Sequence, residues 1–199
     1  MSQHAPLNPT APVDAASDIT TRFAPPQAHV APVALDQAQA RPMWFSVSPV
    51  KLLVMCTVTL QFYTVYWFYK QWNLVRLRER SSIIPVARAV FSFFFVWGLF
   101  KRVRDSEGAA GASLNAGGLA IGWIVASLMW KAPTPGWWLA MIAPLFLLPA
   151  QIAMNAVNAT VSPGNARNDR FSVLNWIAIV VGSLFILMAL IGTFLPHRP

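Results

Sequence analysis

Apolar residues occur in five long blocks along this chain, and not in the narrow stripes of amphipathic helices. The blocks run over about 50–69, 83–100, 109–130, 137–154 and 173–195. A helix rises about 1.5 Å per residue, so about 20 residues cross the roughly 30 Å hydrocarbon core of a bilayer. The first, third and fifth blocks reach that length, whereas the fourth is shorter and contains two prolines. The pattern predicts an all-α, polytopic transmembrane helical bundle.

The segment before the first block, residues 1–42, has no apolar run and no periodicity. It is rich in alanine, proline and glutamine, and its prolines remove backbone donors and stop helices from continuing. Such a segment cannot bury enough apolar surface to offset the entropy lost on ordering. We therefore expect 1–42 to be a disordered tail and 43–199 to be the helical transmembrane domain. The tail also lacks the basic start and apolar core of a secretory signal.

The second block, 83–100, is short and carries Arg88 near its start. An arginine at the bilayer centre costs at least ~2.5 kcal/mol on insertion scales, whereas a shallow arginine can reach the headgroups. Basic clusters at 70–80 and 101–104 flank the block, and the positive-inside rule disfavours placing them on opposite sides of the membrane. The block therefore either dips in as a short re-entrant or interfacial helix, or spans with Arg88 at the interface.

Two topologies follow from these alternatives. Four full spans plus one re-entrant or interfacial helix put both basic clusters in the cytoplasm and both termini outside, which requires the long tail to cross the membrane. Five spans keep the tail inside but separate the two basic clusters. The charge rule favours the first topology.

The overall composition supports the bilayer as solvent. Of the 199 residues, 56% are hydrophobic and 11% are charged, and the mean hydropathy is +0.49. A soluble domain usually carries about 25% charged residues. The net charge of +8 would indicate nucleic acid in a soluble protein. Here the basic residues lie beside apolar blocks, so the expected partners are anionic headgroups of membrane lipids, with homo- or hetero-oligomers also open and no nucleic acid.

All three tyrosines of the chain, Tyr63, Tyr66 and Tyr69, fall within seven residues at the end of the first block. Steps of three residues put them on one helical arc of about 120°. Tyrosine and tryptophan prefer the membrane interface, so an aromatic belt is one interpretation, and a face that binds a lipid, ligand or partner helix is the other. The predicted lipid or partner surface comprises Tyr63, Tyr66, Trp67, Tyr69, Lys70, Trp72, Arg76, Arg78, Arg80 and Arg88.

The tyrosine cluster belongs to a longer set of motifs. The chain has Ser-x-x-Lys-Leu at 48–52, Tyr-x-x-Tyr-Trp-Phe-Tyr-Lys-x-Trp at 63–72, Ile-x-Pro-x-x-Arg-Ala-x-Phe at 83–91 and Leu-Phe-Lys-Arg at 99–102. In these motifs it resembles a family of uncharacterised bacterial multi-pass inner-membrane proteins. The family pattern often has glycine at the position of Gln61 and tryptophan at that of Ala87, so the resemblance does not imply a glycine bend here. It implies a small multi-pass protein of the bacterial inner membrane, without a known activity.

Small residues recur at four-residue spacing in two blocks. They are Gly118, Gly122 and Ala126 in the third block, and Ala178 and Gly182 in the fifth. Small residues let helix backbones approach closely where lipid provides no hydrophobic drive. We expect helix packing of the third block against the fifth, with a homodimer face as the alternative.

The chain offers no recognisable set of residues for catalysis. All acidic residues lie in the tail or in loops, the three histidines lie in the tails, and Cys56 is the single cysteine. We therefore expect no enzyme, no cofactor and no metal site. The predicted function is a non-enzymatic scaffold or a lipid/protein-interaction component of a bacterial inner membrane. A small transporter or channel subunit is the alternative, with broken helices at Pro144 and Pro149 beside Asn155 lining a path.

Overall fold

A computed structural model of the chain describes residues 41–106 and 113–195. Nearly all of the predicted disordered tail, residues 1–40, and the start of the third block at 109–112 lie outside the described residues. Within them the secondary structure is helical and includes no β-strand, only an isolated bridge between Val47 and Asn168. The predicted all-α class is confirmed for this part of the chain.

The described residues form seven α-helices and two 3₁₀ helices. The α-helices are α1 (Pro49–Val58), α2 (Phe62–Glu79), α3 (Pro85–Val90), α4 (Ser92–Arg104), α5 (Ala116–Leu128), α6 (Leu148–Val161) and α7 (Val173–Phe194). The 3₁₀ helices are Met129–Lys131 and Gly136–Leu147.

The first apolar block is a helical hairpin, where the sequence predicted one helix over 50–69. The chain leaves α1 and turns back at Leu60 and Gln61, both of which have left-handed backbones with φ of 48° and 74°. The reversal brings the Thr64 hydroxyl 3.3 Å from the Cys56 sulfur. Gln61 holds the turn without glycine, because its amide donates to the Ala140 carbonyl at 3.2 Å and accepts from Thr64 at 3.1 Å.

The second block is also a hairpin, which turns at Phe91 between α3 and α4. The first arm of this hairpin, which contains α3, begins at Ile83 beside Arg76. The second arm, α4, brings Arg102 to within 3.1 Å of Glu79. Both arms therefore start and end beside the C-terminal half of α2. The block 83–100 therefore folds back on itself, and a straight helix through the block is not observed.

One end of the bundle, which we call the basic end, holds the C-terminal ends of α2, α4 and α6. α5 runs away from it, since Trp130, which follows α5, lies beside the Leu60 turn. The segment Gly136–Val161 returns to the basic end, and α7 runs away from it again. These last two segments, 26 and 22 residues long, are long and apolar enough to cross a membrane. The four or five full spans predicted from the sequence are not confirmed.

The two prolines of the fourth block have different positions in the returning segment. Pro144 lies inside the 3₁₀ helix and is buried, whereas Pro149 lies in the first turn of α6. Proline lacks a backbone donor and is tolerated best in a first helical turn. The change from 3₁₀ to α-helical winding at Leu148 thus places Pro149 where its missing N–H breaks no helical hydrogen bond.

The small residues pack differently from the expected pairing of the third block with the fifth. A side chain at Gly122 would overlap the Phe146 ring of the 3₁₀ helix, and Ala126 is buried. Gly118 instead belongs to the start of α5, where its N–H is capped by the Asn115 side chain at 2.9 Å. The helix of the third block, α5, therefore packs against the 3₁₀ helix Gly136–Leu147 of the fourth block and against α4 of the second block.

The fifth block packs on α1. α7 is almost entirely exposed, and its one buried residue is Gly182, whose position leaves no room for a Cβ beside the Val58 carbonyl. Ala178 lines the same contact with α1. Gly182 thus lies at a close helix contact, and the helix it contacts is α1 and not the third block.

We expect Gly182→Leu to lower the melting temperature of the protein in detergent, because the leucine must push α7 off the α1 backbone. Overpacking of this kind costs roughly 1–3 kcal/mol. Gly192→Leu on the same helix is the matched control, since nothing lies within 4 Å of a Cβ at that position. Equal melting temperatures for the two variants, measured by scanning fluorimetry, would contradict this packing.

Candidate functional site at the basic end

A non-helical segment of residues 41–48, which we call the strap, lies between α2 and α6. The Asn158 side chain of α6 accepts from the Trp44 N–H at 2.9 Å and donates to the Trp44 carbonyl at 2.7 Å. The Gln71 side chain of α2 likewise accepts from the Phe45 N–H at 2.9 Å and donates to the Phe45 carbonyl at 3.2 Å. Two buried amides thus supply hydrogen-bond partners to backbone groups that no helix or strand satisfies.

Two further amides on α6 complete this network. Gln151 donates to the Phe45 carbonyl at 3.2 Å and to Asn155 at 2.8 Å, while Asn155 donates to the Val47 carbonyl at 2.9 Å. The Trp67 indole N–H donates to Gln151 at 2.6 Å. The α6 amides occur at 151, 155 and 158, a spacing that puts them on one helical face. That spacing was the sequence signal for the strap site, and Gln71 and Gln151 were absent from the predicted site.

Lys51 anchors the loop 162–172 beside the strap. Its ammonium donates to the Asn168 side chain at 2.8 Å and to the Arg170 carbonyl at 2.6 Å, and the residue is 2% exposed. Ser48 caps α1 by accepting from the Lys51 N–H at 3.0 Å. The Ser-x-x-Lys motif therefore starts α1 and ties the loop to it.

The predicted surface divides into several parts in the structure, and two of its tryptophans are in the core. Trp67 and Trp72 are both 0% exposed. Trp72 lies between two cations, with the Arg88 guanidinium 4.4 Å and the Arg102 guanidinium 5.4 Å from its ring. Contacts of this kind stabilise by about 0.5–2 kcal/mol. These tryptophans therefore hold the bundle together and offer no face to lipid.

Two of the three tyrosines cover the strap. Tyr66 packs edge-on against Phe45 with ring centroids 6.0 Å apart, and Tyr63 packs against Tyr66 at 5.4 Å. The Lys70 ammonium lies 5.4 Å from the Phe45 ring and 6.0 Å from that of Tyr66. Tyr69 lies apart from this stack and faces a different cleft. The three regularly spaced tyrosines therefore lie in two different places, two of them in the stack beside Phe45 and Tyr69 in the cleft.

The three arginines at the end of α2 have different environments. Arg78 donates to the Met43 carbonyl at 2.8 Å and lies 4.8 Å from the Trp44 ring, so it clamps the strap. Desolvation lowers the pKa of Arg78 from its ordinary value, while Glu79 raises it and Arg102 lowers it further. Arg76 and Arg80 are exposed and make no hydrogen bond or ion pair within the described residues.

Cations are concentrated at one end of the bundle. Of the lysines and arginines in 41–106 and 113–195, only Lys131 lies at the opposite end, where it is 5.6 Å from the Trp130 ring. Trp137 and Trp138 stack there at 4.3 Å, and Trp138 donates to Thr193 of α7 at 3.4 Å. Acidic residues at the basic end are few, and in the described chain they are Glu79, Asp105 and Asp169, each paired with an arginine.

A mainly apolar cavity of about 410 Å³ lies where the two hairpins turn. Gln61, Ser92, Trp123 and Trp137 are among its lining residues, and none of the described lining residues is charged. The 3₁₀ helix that contains Pro144 contributes Trp137, Ala140 and Met141 to the cavity lining, whereas Pro144 and Pro149 themselves do not line it. Asn155 does not line this cavity either, and its amide donates to the Val47 carbonyl.

Comparisons with known proteins add no family or function. No protein-family model matches this chain, and neither a curated protein nor a solved structure matches it significantly. In the described chain no group of three or more histidine, cysteine, aspartate or glutamate residues is placed to hold a metal ion.

We expect Asn158→Leu to destabilise the protein by about 3 kcal/mol, because two backbone groups of Trp44 lose their partners in a buried site. Ala159→Leu is the control, since it adds the same side chain at the exposed neighbouring position. Equilibrium unfolding in mixed micelles gives the two free energies of unfolding. A free energy for Asn158→Leu equal to that of the control would show that the strap is not held by its hydrogen bonds.

Proposed function

We propose that this protein is a non-enzymatic, multi-pass scaffold of a bacterial inner membrane whose basic end binds anionic lipid headgroups. The observation that supports this function most is the one-sided distribution of cations. Each basic residue near an anionic leaflet contributes roughly 1 kcal/mol of attraction. Within residues 41–106 and 113–195, three paired carboxylates are too few to neutralise the cations of that end.

The two hairpins support a third topology, in which both basic clusters lie on one side of the membrane. Each hairpin returns to the basic end, so both basic clusters lie together while the strap also starts there. In this proposal Gly136–Val161, α7 and the shorter α5 supply three crossings, of which the first two are long and apolar enough to span by themselves. With the basic end in the cytoplasm, the positive-inside rule is obeyed and the tail does not have to cross the membrane.

This topology predicts which positions share a side of the inner membrane. Reporter fusions after residues 41, 81, 106 and 165 should report the cytoplasm, and fusions after 134 and 195 should report the opposite side. The first four positions lie at the basic end, which this topology places in the cytoplasm, whereas 134 and 195 lie away from it. A fusion at 106 that reports the side opposite to 81 would refute the hairpin topology.

We expect combined replacement of Arg80, Lys101 and Arg104 by glutamine to reduce the preference for phosphatidylglycerol at least about fivefold, since three exposed cations are lost. The measurement is the ratio of phosphatidylglycerol to phosphatidylcholine that copurifies after reconstitution in mixed nanodiscs. Lys131→Gln removes one cation at the opposite end and serves as the control. An unchanged lipid ratio in the triple variant would argue against the proposed function.

A small transporter or channel subunit is the second candidate. The cavity of about 410 Å³ between the hairpin turns favours it, because discontinuous helices often surround substrate sites in transporters. The described lining offers no carboxylate for coupling to protons or sodium ions. Solute flux into proteoliposomes that contain the chain is the measurement that separates the two functions.

A further inference from the structure

We propose that a cleft between α2 and the loop 81–84 binds the phosphate of one anionic phospholipid. The cleft has a volume of about 390 Å³ and lies beside the basic end. This proposal rests on the proposed function, which places the basic end at a membrane. It goes beyond that function because it assigns one lipid to one defined site in place of a diffuse basic surface.

Five side chains that can form hydrogen bonds line this cleft. Tyr69, Asn73 and Arg76 come from one face of α2, and Ser81 and Ser82 come from the loop. None of these side chains has a hydrogen-bond partner within the described residues. The Ser81 hydroxyl is shut off from solvent and has no partner, which carries a desolvation cost.

The strap site on the other side of α2 shows how polar side chains of this helix bond when the chain itself supplies partners. On the opposite side of α2, the Gln71 amide satisfies both polar groups of Phe45. Polar side chains converging on a cavity without bonding to one another are typical of a ligand site.

The charge of Arg76 selects an anion. Its nearest acidic neighbour along the chain, Glu79, is paired with Arg102 at 3.1 Å and does not neutralise it. The planar guanidinium matches the oxygens of a phosphate, and the amide and hydroxyl groups beside it can donate to the remaining oxygens.

The rim of the cleft indicates a lipid and not free phosphate. Ile83, Ile84, Pro85 and Val86 form the opposite wall, and Ile84 and Val86 are 66% and 57% exposed. Apolar side chains next to a cationic pocket fit a ligand whose charged head continues into hydrocarbon. Inorganic phosphate has no part that would contact them.

Native mass spectrometry of the full chain in detergent, titrated with phosphatidylglycerol, tests the site. We expect one saturable lipid, bound about tenfold more weakly by Arg76→Gln, because a hydrogen bond to a charged group is lost. Lys131→Gln is the control for charge and should bind like the unchanged chain. Equal affinity of Arg76→Gln and the unchanged chain would overturn the proposal.

Two further measurements are needed. The first distinguishes a lipid from free phosphate as the ligand, and the second distinguishes failure of the cleft from failure of the proposed function. Inorganic phosphate at the same concentrations should leave the bound lipid in place, and displacement by it would refute the lipid assignment. The triple variant of Arg80, Lys101 and Arg104 keeps the cleft and should retain the single tight lipid. If that triple variant loses the general lipid preference while Arg76→Gln has no effect, the cleft fails and the proposed function stands.

Discussion

An extended backbone can lie inside an apolar bundle only if its N–H and C=O groups find partners there. This constraint governs the strap and, through it, much of the bundle. Gln71 on α2 and Gln151 on α6 both bond to Phe45, so the strap joins these two helices through hydrogen bonds. The Trp67 indole N–H donates to Gln151, so the same hydrogen-bond network includes a side chain of the buried core.

The second organising feature is the contact between aromatic rings and cations. Trp72 is held between Arg88 and Arg102, which come from the two arms of the second hairpin. A guanidinium that lies on a ring loses less hydration than one buried among aliphatic groups, so it can lie close to the apolar core. The arms of that hairpin therefore meet through Trp72, and Arg88 reaches the basic end despite its position inside an apolar block.

Some of this organisation could be predicted from the sequence, and the reasons are specific. Apolar block length predicted that the blocks are helical, and the unfavourable separation of two basic clusters argued against one straight helix through the second block. The turn at Gln61 could not be predicted, since a left-handed glutamine is rare and depends on its bonds to Ala140 and Thr64. Burial of Trp67 and Trp72 was also hidden, because an interfacial tryptophan and a core tryptophan look alike in a sequence.

The sequence by itself determined the helical class, the apolar blocks and the gathering of cations near their ends, because these depend on local composition and length. Only the tertiary structure decided where the chain reverses, which amides hold the strap and which arginines remain unpaired. These outcomes depend on contacts between residues far apart in the chain, such as Trp44 with Asn158, and no local pattern specifies the partner.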